Sequence, residues 1–139
     1  MKSTLDTNTI IELLKGDKIV KMMYQDAILV GDEIYINAIS YYEIRRGLLF
    51  ADYKNRSEYF DKMCEECGLL LMDKISIFDK AAEIYAELKR RNKDNIGDCD
   101  ILIASIACVE NLSIITNNVS HFEFIKDFIP SLIIDNWIN

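Results

Sequence analysis

Three acidic side chains stand next to apolar or amphipathic runs in this sequence, where a carboxylate is costly to bury. Asp6 follows Lys2 to Leu5, which is predicted to form a buried strand, and Asp100 directly precedes Ile101-Leu102-Ile103-Ala104. Glu43 lies inside an amphipathic stretch between them. Burying such charges together requires a cation, bound water or protonation. Mg²⁺ and Mn²⁺ meet that need because both favour carboxylate and water oxygens.

Each acidic position also has an ordinary structural explanation. Asp6 would serve as a helix N-cap, for which aspartate is a favoured residue. Glu43 would pair with a neighbouring arginine on a solvated helix face. Asp98 would cap a helix, and Asp100 would then sit in its first turn, where a carboxylate interacts favourably with the helix dipole. Asn118 belongs to a pair of asparagines, which are common in turns.

The elements that must position these residues are short strands and longer amphipathic helices. Their alternation predicts an α/β domain with a central parallel sheet of about five strands flanked by helices. Strands are predicted at Lys2 to Leu5, Glu33 to Ile36, Leu69 to Met72, Ser113 to Thr116 and Leu132 to Ile134. Helices are predicted through Ile10 to Gly16 after capping by Thr7, Asn8 and Thr9, and at Lys18 to Leu29, Ile39 to Phe50, Ser57 to Cys67, Phe78 to Arg90 and Ile101 to Val109.

The predicted sheet gives the acidic positions a common location. In open α/β sheets, sites are built in the crevice beyond the carboxyl ends of the strands. Asp6 follows the first strand, Glu43 lies in the helix after the second, and Asp100 lies at the start of the nearly all-apolar helix. The sequence therefore predicts an acidic site at this edge and leaves the convergence of the three side chains open.

Composition restricts the class of protein. The chain has 139 residues, 16 Lys and Arg against 23 Asp and Glu, and a net charge of −7. That length predicts one domain, 1–139, and the acidic balance disfavours nucleic-acid binding through bulk charge. A nuclease stays open because a metal ion held by carboxylates can meet phosphate. No apolar stretch has the length of a membrane span or signal peptide, so we expect a soluble, cytoplasmic protein with no membrane interaction.

The four cysteines are expected to be reduced thiols, because the chain is long enough to form its own core. Cys64 and Cys67 have the spacing of a metal or redox pair. No second Cys or His pair accompanies them, which disfavours both roles. Cys99 and Cys108 border or lie within an apolar run and are predicted to be small core residues.

Four short blocks surround the acidic residues in order along the chain. They are Leu5-Asp6-Thr7-Asn8 with Ile10-Ile11, Ser40-Tyr41-Tyr42-Glu43-Ile44 with Gly47, Ile96-Gly97-Asp98-Cys99-Asp100-Ile101-Leu102-Ile103-Ala104-Ser105, and Ile115-Thr116-Asn117-Asn118 followed by His121-Phe122. Together these blocks resemble the PIN-domain ribonucleases, and within them the VapC-type toxins of bacterial toxin–antitoxin systems. The resemblance covers nearly the whole chain.

The resemblance implies a PIN domain with an acidic, Mg²⁺- or Mn²⁺-dependent pocket that hydrolyses RNA phosphodiester bonds. Asp6, Glu43 and Asp100 match the family's three principal acids, with Asp98 as the competing choice for the third. Asn118 occupies the fourth position, which is often aspartate in the family. The missing charge puts a second metal ion in doubt rather than the activity itself.

The expected chemistry is metal-assisted hydrolysis, with Asp6 and Asp100 as the main ligands and Glu43 orienting the attacking water or helping to hold a second ion. Polar side chains near the motif acids are candidates to orient them, with local helix capping as the alternative. These side chains are Thr7, Asn8 and Thr116.

Two arginine pairs and one histidine complete the candidate residues. Arg45 and Arg46, with Arg90 and Arg91, would guide the RNA backbone into the acidic pocket. Alternatively, they are solvated cations that complement helix dipoles. His121 lies at what looks like the edge of a helix, and a structural role is favoured over acid–base catalysis.

The resemblance also implies binding partners, and two alternative functions stay open. It implies a cognate antitoxin that occupies the active-site groove, and commonly a homodimer. A PIN-fold interaction module with weak or absent catalysis is the first rival, favoured by Asn118 alone. A phosphoacceptor signalling domain is the second, but it requires paired acids after the first strand, where this chain offers Asp6.

Overall fold

The computed structural model describes residues 1–138, and strands and helices alternate in it along the chain. The elements are, in order, β1 (Lys2–Leu5), α1 (Thr7–Lys15), α2 (Lys18–Leu29), β2 (Glu33–Asn37), α3 (Ala38–Ala51), α4 (Lys54–Glu66), β3 (Gly68–Leu70), α5 (Ile75–Arg90), α6 (Asp98–Glu110), β4 (Ser113–Ile115), α7 (Val119–Lys126) and β5 (Ile133–Asp135).

The strands form one five-stranded parallel sheet in the order β3-β2-β1-β4-β5. The central strand β1 pairs with β2 through Thr4 and Tyr35, and with β4 through Leu5 and Ile115. The chain runs outward from β1 through β2 and β3, and then returns to the other side of β1 at β4. This reversal is the place where α/β sheets open a crevice. The predicted α/β fold class is confirmed.

Two cores lie on opposite faces of the sheet because successive strand residues point to opposite sides. Ile36 and Ile115 pack with buried residues of α1, α2, α3 and α4. Ile114 packs with buried residues of α5, α6 and α7. The sheet is therefore covered on both faces, and its polar carboxyl-end edge is left to form the site.

The predicted bounds agree with the structure to within a few residues for most elements. α2 has the predicted bounds, whereas α4 begins at Lys54 rather than Ser57 and α5 at Ile75 rather than Phe78. The first helix begins at Thr7, so the prediction that Thr7, Asn8 and Thr9 precede and cap it is wrong. The N-cap is Asp6, whose side chain accepts from the N–H of Thr7.

Two predictions about the start of α6 are also wrong. Its N-cap is Gly97, without a side-chain cap hydrogen bond, so Asp98 is not the cap but the first residue of the helix. Cys99 is exposed rather than in the core, because it lies in the first turn of α6, and the buried part of this helix begins only at Ile101. Cys108 is half-buried against the second core.

A helix that spans a membrane needs about 20 consecutive, mainly apolar residues. No helix within residues 1–138 combines the length and the apolar character needed to cross a lipid bilayer.

Candidate active site

Asp6 lies at the centre of the carboxyl-end edge, where it caps α1 and borders the candidate site. Its backbone N–H donates to the carbonyl of Ile115 at 2.8 Å, which continues the pairing of β1 with β4. Its Oδ1 accepts from the N–H of Thr7 at 2.8 Å. Its Oδ2 accepts from the Thr116 hydroxyl at 2.7 Å and from Asn8 Nδ2 at 3.3 Å. Only 4% of Asp6 is exposed, so its carboxylate is fixed in a buried position.

The carboxyl group of Asp6 is affected by burial and by both other motif acids. Burial raises the pKa of Asp6 above its usual value, and hydrogen bonds from Thr116 and Thr7 act in the opposite direction. The charges of Asp100 and Glu43 raise the pKa of Asp6 further. A carboxylate that is buried beside two others gains most from a nearby cation, because like charges and desolvation both disfavour its ionised form.

Glu43 reaches this edge from the second turn of α3. Its Oε1 accepts from the Thr7 hydroxyl at 2.7 Å, and its Oε2 lies 3.7 Å from Arg46 Nη2. The arginine pairing expected for a solvated helix face is therefore present, on a carboxylate that also faces the site. Thr7 contacts two of the acids, since its N–H donates to Asp6 and its hydroxyl to Glu43.

Asp100 joins the site through the start of α7. Its Oδ2 accepts from Asn118 Nδ2 at 2.8 Å and lies 2.8 Å from His121 Nδ1. The N–H of Asn118 donates to the Thr116 hydroxyl at 2.8 Å, and that hydroxyl donates to Asp6. A continuous hydrogen-bond network therefore connects the two aspartates. Asp98 is exposed on the same turn of α6.

The family to which the chain belongs follows from its sequence match. The PIN domain family model matches residues 4–124, which include Asp6, Glu43, Asp100 and Asn118. The chain belongs to the PIN domain family. This PIN domain is similar to ribonuclease VapC2 of Rickettsia felis, with 35% identity over 74 residues that cover 49% of this chain and 52% of that protein. The chain thus spans about half the length of that curated relative.

Two further comparisons extend over nearly the whole PIN domain. Ribonuclease VapC19 of Mycobacterium tuberculosis is 25% identical over 126 residues, which cover 91% of this chain and 96% of that protein. The solved structure of VapBC2 from Rickettsia felis, bound to a DNA fragment from their promoter, superposes with a TM-score of 0.86. It is 25% identical, and the alignment covers 99% of this chain and 100% of that chain.

The acids of this PIN domain are held by protein donors rather than arranged as a closed ligand cage. Among residues 1–138, no three His, Cys, Asp or Glu side chains are placed so that they could hold a metal ion. Each of Asp6, Glu43 and Asp100 instead accepts a short hydrogen bond from a neighbouring side chain. The site is an oriented group of carboxylates whose mutual repulsion is only partly compensated by these donors.

Three contributors to this PIN-domain site are hard to recognise in the sequence. Asn37 and Ser40 are fully buried and both donate to the carbonyl of Leu5, which fixes the backbone immediately before Asp6. Sequence patterns assign both only to helix capping, although Asn37 follows β2 as Asp6 follows β1. His121 is the third, and the signal for its contact with Asp100 is its spacing of three residues from Asn118.

The four candidate arginines lie in different surroundings. Arg45 Nη2 is 2.7 Å from Asp61 Oδ1, and its guanidinium stacks over aromatic rings of the α3–α4 core. Arg90 and Arg91 both pair with Glu87 on α5. Arg46 pairs with Glu43, a residue of the acidic site. Arg46 is therefore the candidate arginine that contacts a motif acid directly.

Proposed function

We propose that this PIN domain is a Mg²⁺- or Mn²⁺-dependent endoribonuclease and the toxin of a toxin–antitoxin pair. The observation that carries the proposal is the hydrogen-bond network beyond the carboxyl ends of β1 and β4. It links Asp6 to Glu43 through Thr7, and Asp6 to Asp100 through Thr116 and Asn118. Two similar proteins named as ribonucleases support the reaction class. A group of carboxylates can hold a divalent ion, and such ions assist the hydrolysis of phosphodiesters.

The donor chemistry fits a hard divalent cation. Asp6 and Asp100 would hold the ion, with Glu43 beside them, because Mg²⁺ and Mn²⁺ prefer carboxylate oxygens. When bound, such an ion supplies Lewis-acid stabilisation of a phosphoryl oxygen and a more acidic bound water. Burial raises the pKa of Asp6, and the charges of Asp100 and Glu43 raise it further. A bound cation would offset this cost of keeping the carboxylate ionised.

The side chains of the site orient the acids before substrate binds. The Thr7 hydroxyl fixes Glu43 through Oε1. Oε2, which lies 3.7 Å from Arg46 Nη2, would orient a water for attack on phosphorus. Asp6 is fixed at both oxygens by Thr7 and Thr116. Groups held in one rotamer by such hydrogen bonds lose little entropy when the reaction begins.

Arg46 is the best-supported contact for the RNA backbone. Its side chain is 57% exposed, stacks over Tyr42 and reaches toward Glu43. We expect Arg46→Gln to raise KM for RNA about 3- to 10-fold, since one surface charge interaction contributes roughly 1 kcal/mol, and to leave kcat nearly unchanged. Steady-state cleavage kinetics on a defined RNA oligonucleotide would measure both constants.

Arg90→Gln is a matched control for Arg46→Gln. Arg90 also pairs with the glutamate three residues earlier in its helix, at 3.2 Å, and is also exposed. If Arg90→Gln leaves KM for RNA unchanged and Arg46→Gln raises it, Arg46 contacts the RNA locally. Equal effects of the two substitutions would instead show that Arg46 and Arg90 act through the general electrostatic field of the protein.

Partner binding is the second part of the proposal. The similarity to VapBC2 supports a cognate antitoxin chain, and the family resemblance supports a homodimer. Leu49 and Phe50, at the end of the helix that carries Glu43, are 74% and 94% exposed. Exposed apolar and aromatic side chains of this kind are typical of the centres of protein interfaces.

The direct test is cleavage of total RNA by the purified chain, freed of any bound antitoxin. We expect cleavage with Mg²⁺ or Mn²⁺, none with EDTA, and recovery when excess metal is restored. RNA that stays intact under all metal conditions, while the chain still binds a co-expressed antitoxin, would refute the nuclease. That result would favour the alternative function, a PIN-fold interaction module, which the asparagine at position 118 favours.

A further inference from the structure

One oxygen of Asp100 is shared by two nitrogens from the start of α7. Asn118 Nδ2 and His121 Nδ1 each lie 2.8 Å from Oδ2, and the two nitrogens are 2.9 Å apart because they approach the same atom. An ionised carboxylate oxygen only accepts hydrogen bonds. The amide nitrogen of Asn118 therefore faces Asp100, and His121 carries a hydrogen on Nδ1.

The local backbone explains why both donors are available. Asn118 is the N-cap residue of α7, but its side chain makes no capping hydrogen bond to that helix. Its amide is therefore directed to Asp100 instead. His121 follows three residues later, and residues at that spacing lie on the same side of a helix. The side chains of His121 and Asp100 are 26% and 19% exposed, so this contact is shielded from bulk water.

An aspartate at position 118 would not make this arrangement. A second carboxylate at 2.8 Å from Asp100 would repel it, whereas the asparagine amide donates to it. The chain therefore has two donors on Asp100 Oδ2 where a fourth acid would add negative charge. Within residues 1–138, Oδ2 is the Asp100 side-chain oxygen that receives these hydrogen bonds, and Oδ1 receives none.

Building on the proposed nuclease function, we propose that His121 is a positioning residue for Asp100. Together with Asn118 it holds Oδ2, so that Asp100 offers Oδ1 alone to a cation. We therefore expect the site to take one divalent ion. A second ion that used Oδ2 would have to displace both nitrogen donors without a fourth carboxylate to compensate its charge.

Two conservative substitutions separate this role from simple packing. The amide nitrogen of asparagine occupies roughly the position of histidine Nδ1, whereas that of glutamine occupies roughly the position of Nε2. His121→Asn therefore keeps a donor for Asp100, and His121→Gln does not. If His121 only fills space, glutamine should preserve Mn²⁺ affinity at least as well as asparagine, because glutamine retains more of the side-chain volume.

The experiment is calorimetric titration of Mn²⁺ into the full chain, for wild type and three variants. We expect one Mn²⁺ per wild-type chain. Loss of a residue that orients a ligand typically weakens metal binding by about 10- to 100-fold, so His121→Ala and His121→Gln should bind Mn²⁺ at least about 10-fold more weakly. His121→Asn should stay within about 3-fold of wild type. Thermal unfolding without metal checks that each variant folds.

Several results would overturn the proposal. They are two Mn²⁺ ions per wild-type chain, unchanged affinity in His121→Ala, or rescue by glutamine rather than asparagine. RNA cleavage measured on the same samples separates the two proposals. If wild type cleaves RNA, and His121→Ala is as active and binds Mn²⁺ as tightly, only the positioning role is refuted. If the variants bind Mn²⁺ in the expected order of affinity but wild type does not cleave RNA, only the proposed nuclease function is refuted.

Discussion

Asp6→Asn is expected to lower RNA cleavage at least about 100-fold and, in the metal-free protein, to raise the free energy of unfolding by about 0.5–2 kcal/mol. The gain in stability follows from the position of Asp6. Burial and the charges of Asp100 and Glu43 raise its pKa, so the fold carries a cost for keeping this side chain ionised at neutral pH. Neutral asparagine removes that cost, and stabilising substitutions at functional sites commonly have effects of this size.

Asparagine should also preserve the local backbone around position 6. It is as good an N-cap as aspartate, so its carbonyl oxygen can accept from the N–H of Thr7 and keep α1 in place. The new amide can donate to the Thr116 hydroxyl, which contacts Oδ2 in the native site. The loss of activity should therefore arise from the missing charge, because several kcal/mol of transition-state stabilisation by a metal site correspond to more than about 100-fold in rate.

Asp17→Asn provides the matched control for Asp6→Asn. Asp17 is likewise a helix N-cap, since its Oδ1 accepts from the N–H groups of Ile19 and Val20 in α2 at 3.0 Å, but it is not part of the acidic site. Cleavage should be unchanged in this variant. The measurements are initial cleavage rates and urea unfolding in EDTA. An Asp6→Asn protein that is less stable than wild type, or that keeps more than a tenth of its activity, would contradict the account of Asp6.

The fold was largely predictable because its strands are short apolar runs between amphipathic helices. α7 is the exception, and its length gives the reason. It has only eight residues, of which Phe122 and Ile125 are buried. Two buried positions define too little of a helical period to distinguish a helix from a loop. Because α7 carries His121, the contact between His121 and Asp100 could not be predicted from this short pattern either.

The acids of the candidate site can be proposed from the sequence, whereas the contacts that orient them cannot. Asp6 and Asp100 stand out because charges beside apolar runs are costly to bury. The hydrogen bond between Thr116 and Asp6 spans 110 residues and exists because β4 lies beside β1 in the sheet. Sequence order does not state which parallel strands are neighbours. The partners of each acid therefore depended on the strand order, which only the structure supplies.

The choice between Asp98 and Asp100 is the second large prediction. Both residues lie in the first turn of α6, but two residues correspond to about 200° of helix rotation, so their side chains point to opposite sides. Asp100 meets Asn118 and His121, and Asp98 is exposed. We expect Asp100→Asn to lower cleavage at least about 100-fold and Asp98→Asn to stay within about 3-fold of wild type.

Comparing Asp98→Asn with Asp100→Asn separates the role of Asp100 in the site from the effect of its charge on the helix dipole. Each removes one negative charge from the same turn, where both carboxylates interact with the helix dipole to a similar extent. In Asp100→Asn, the new amide can turn its carbonyl oxygen toward the two nitrogen donors, so the start of α7 should remain in place. Cleavage rates over a range of Mn²⁺ concentrations would measure the difference. If Asp98→Asn were the more damaging substitution, Asp98 would be the ligand from α6, and the hydrogen bonds to Asp100 would serve only to hold α7 against α6.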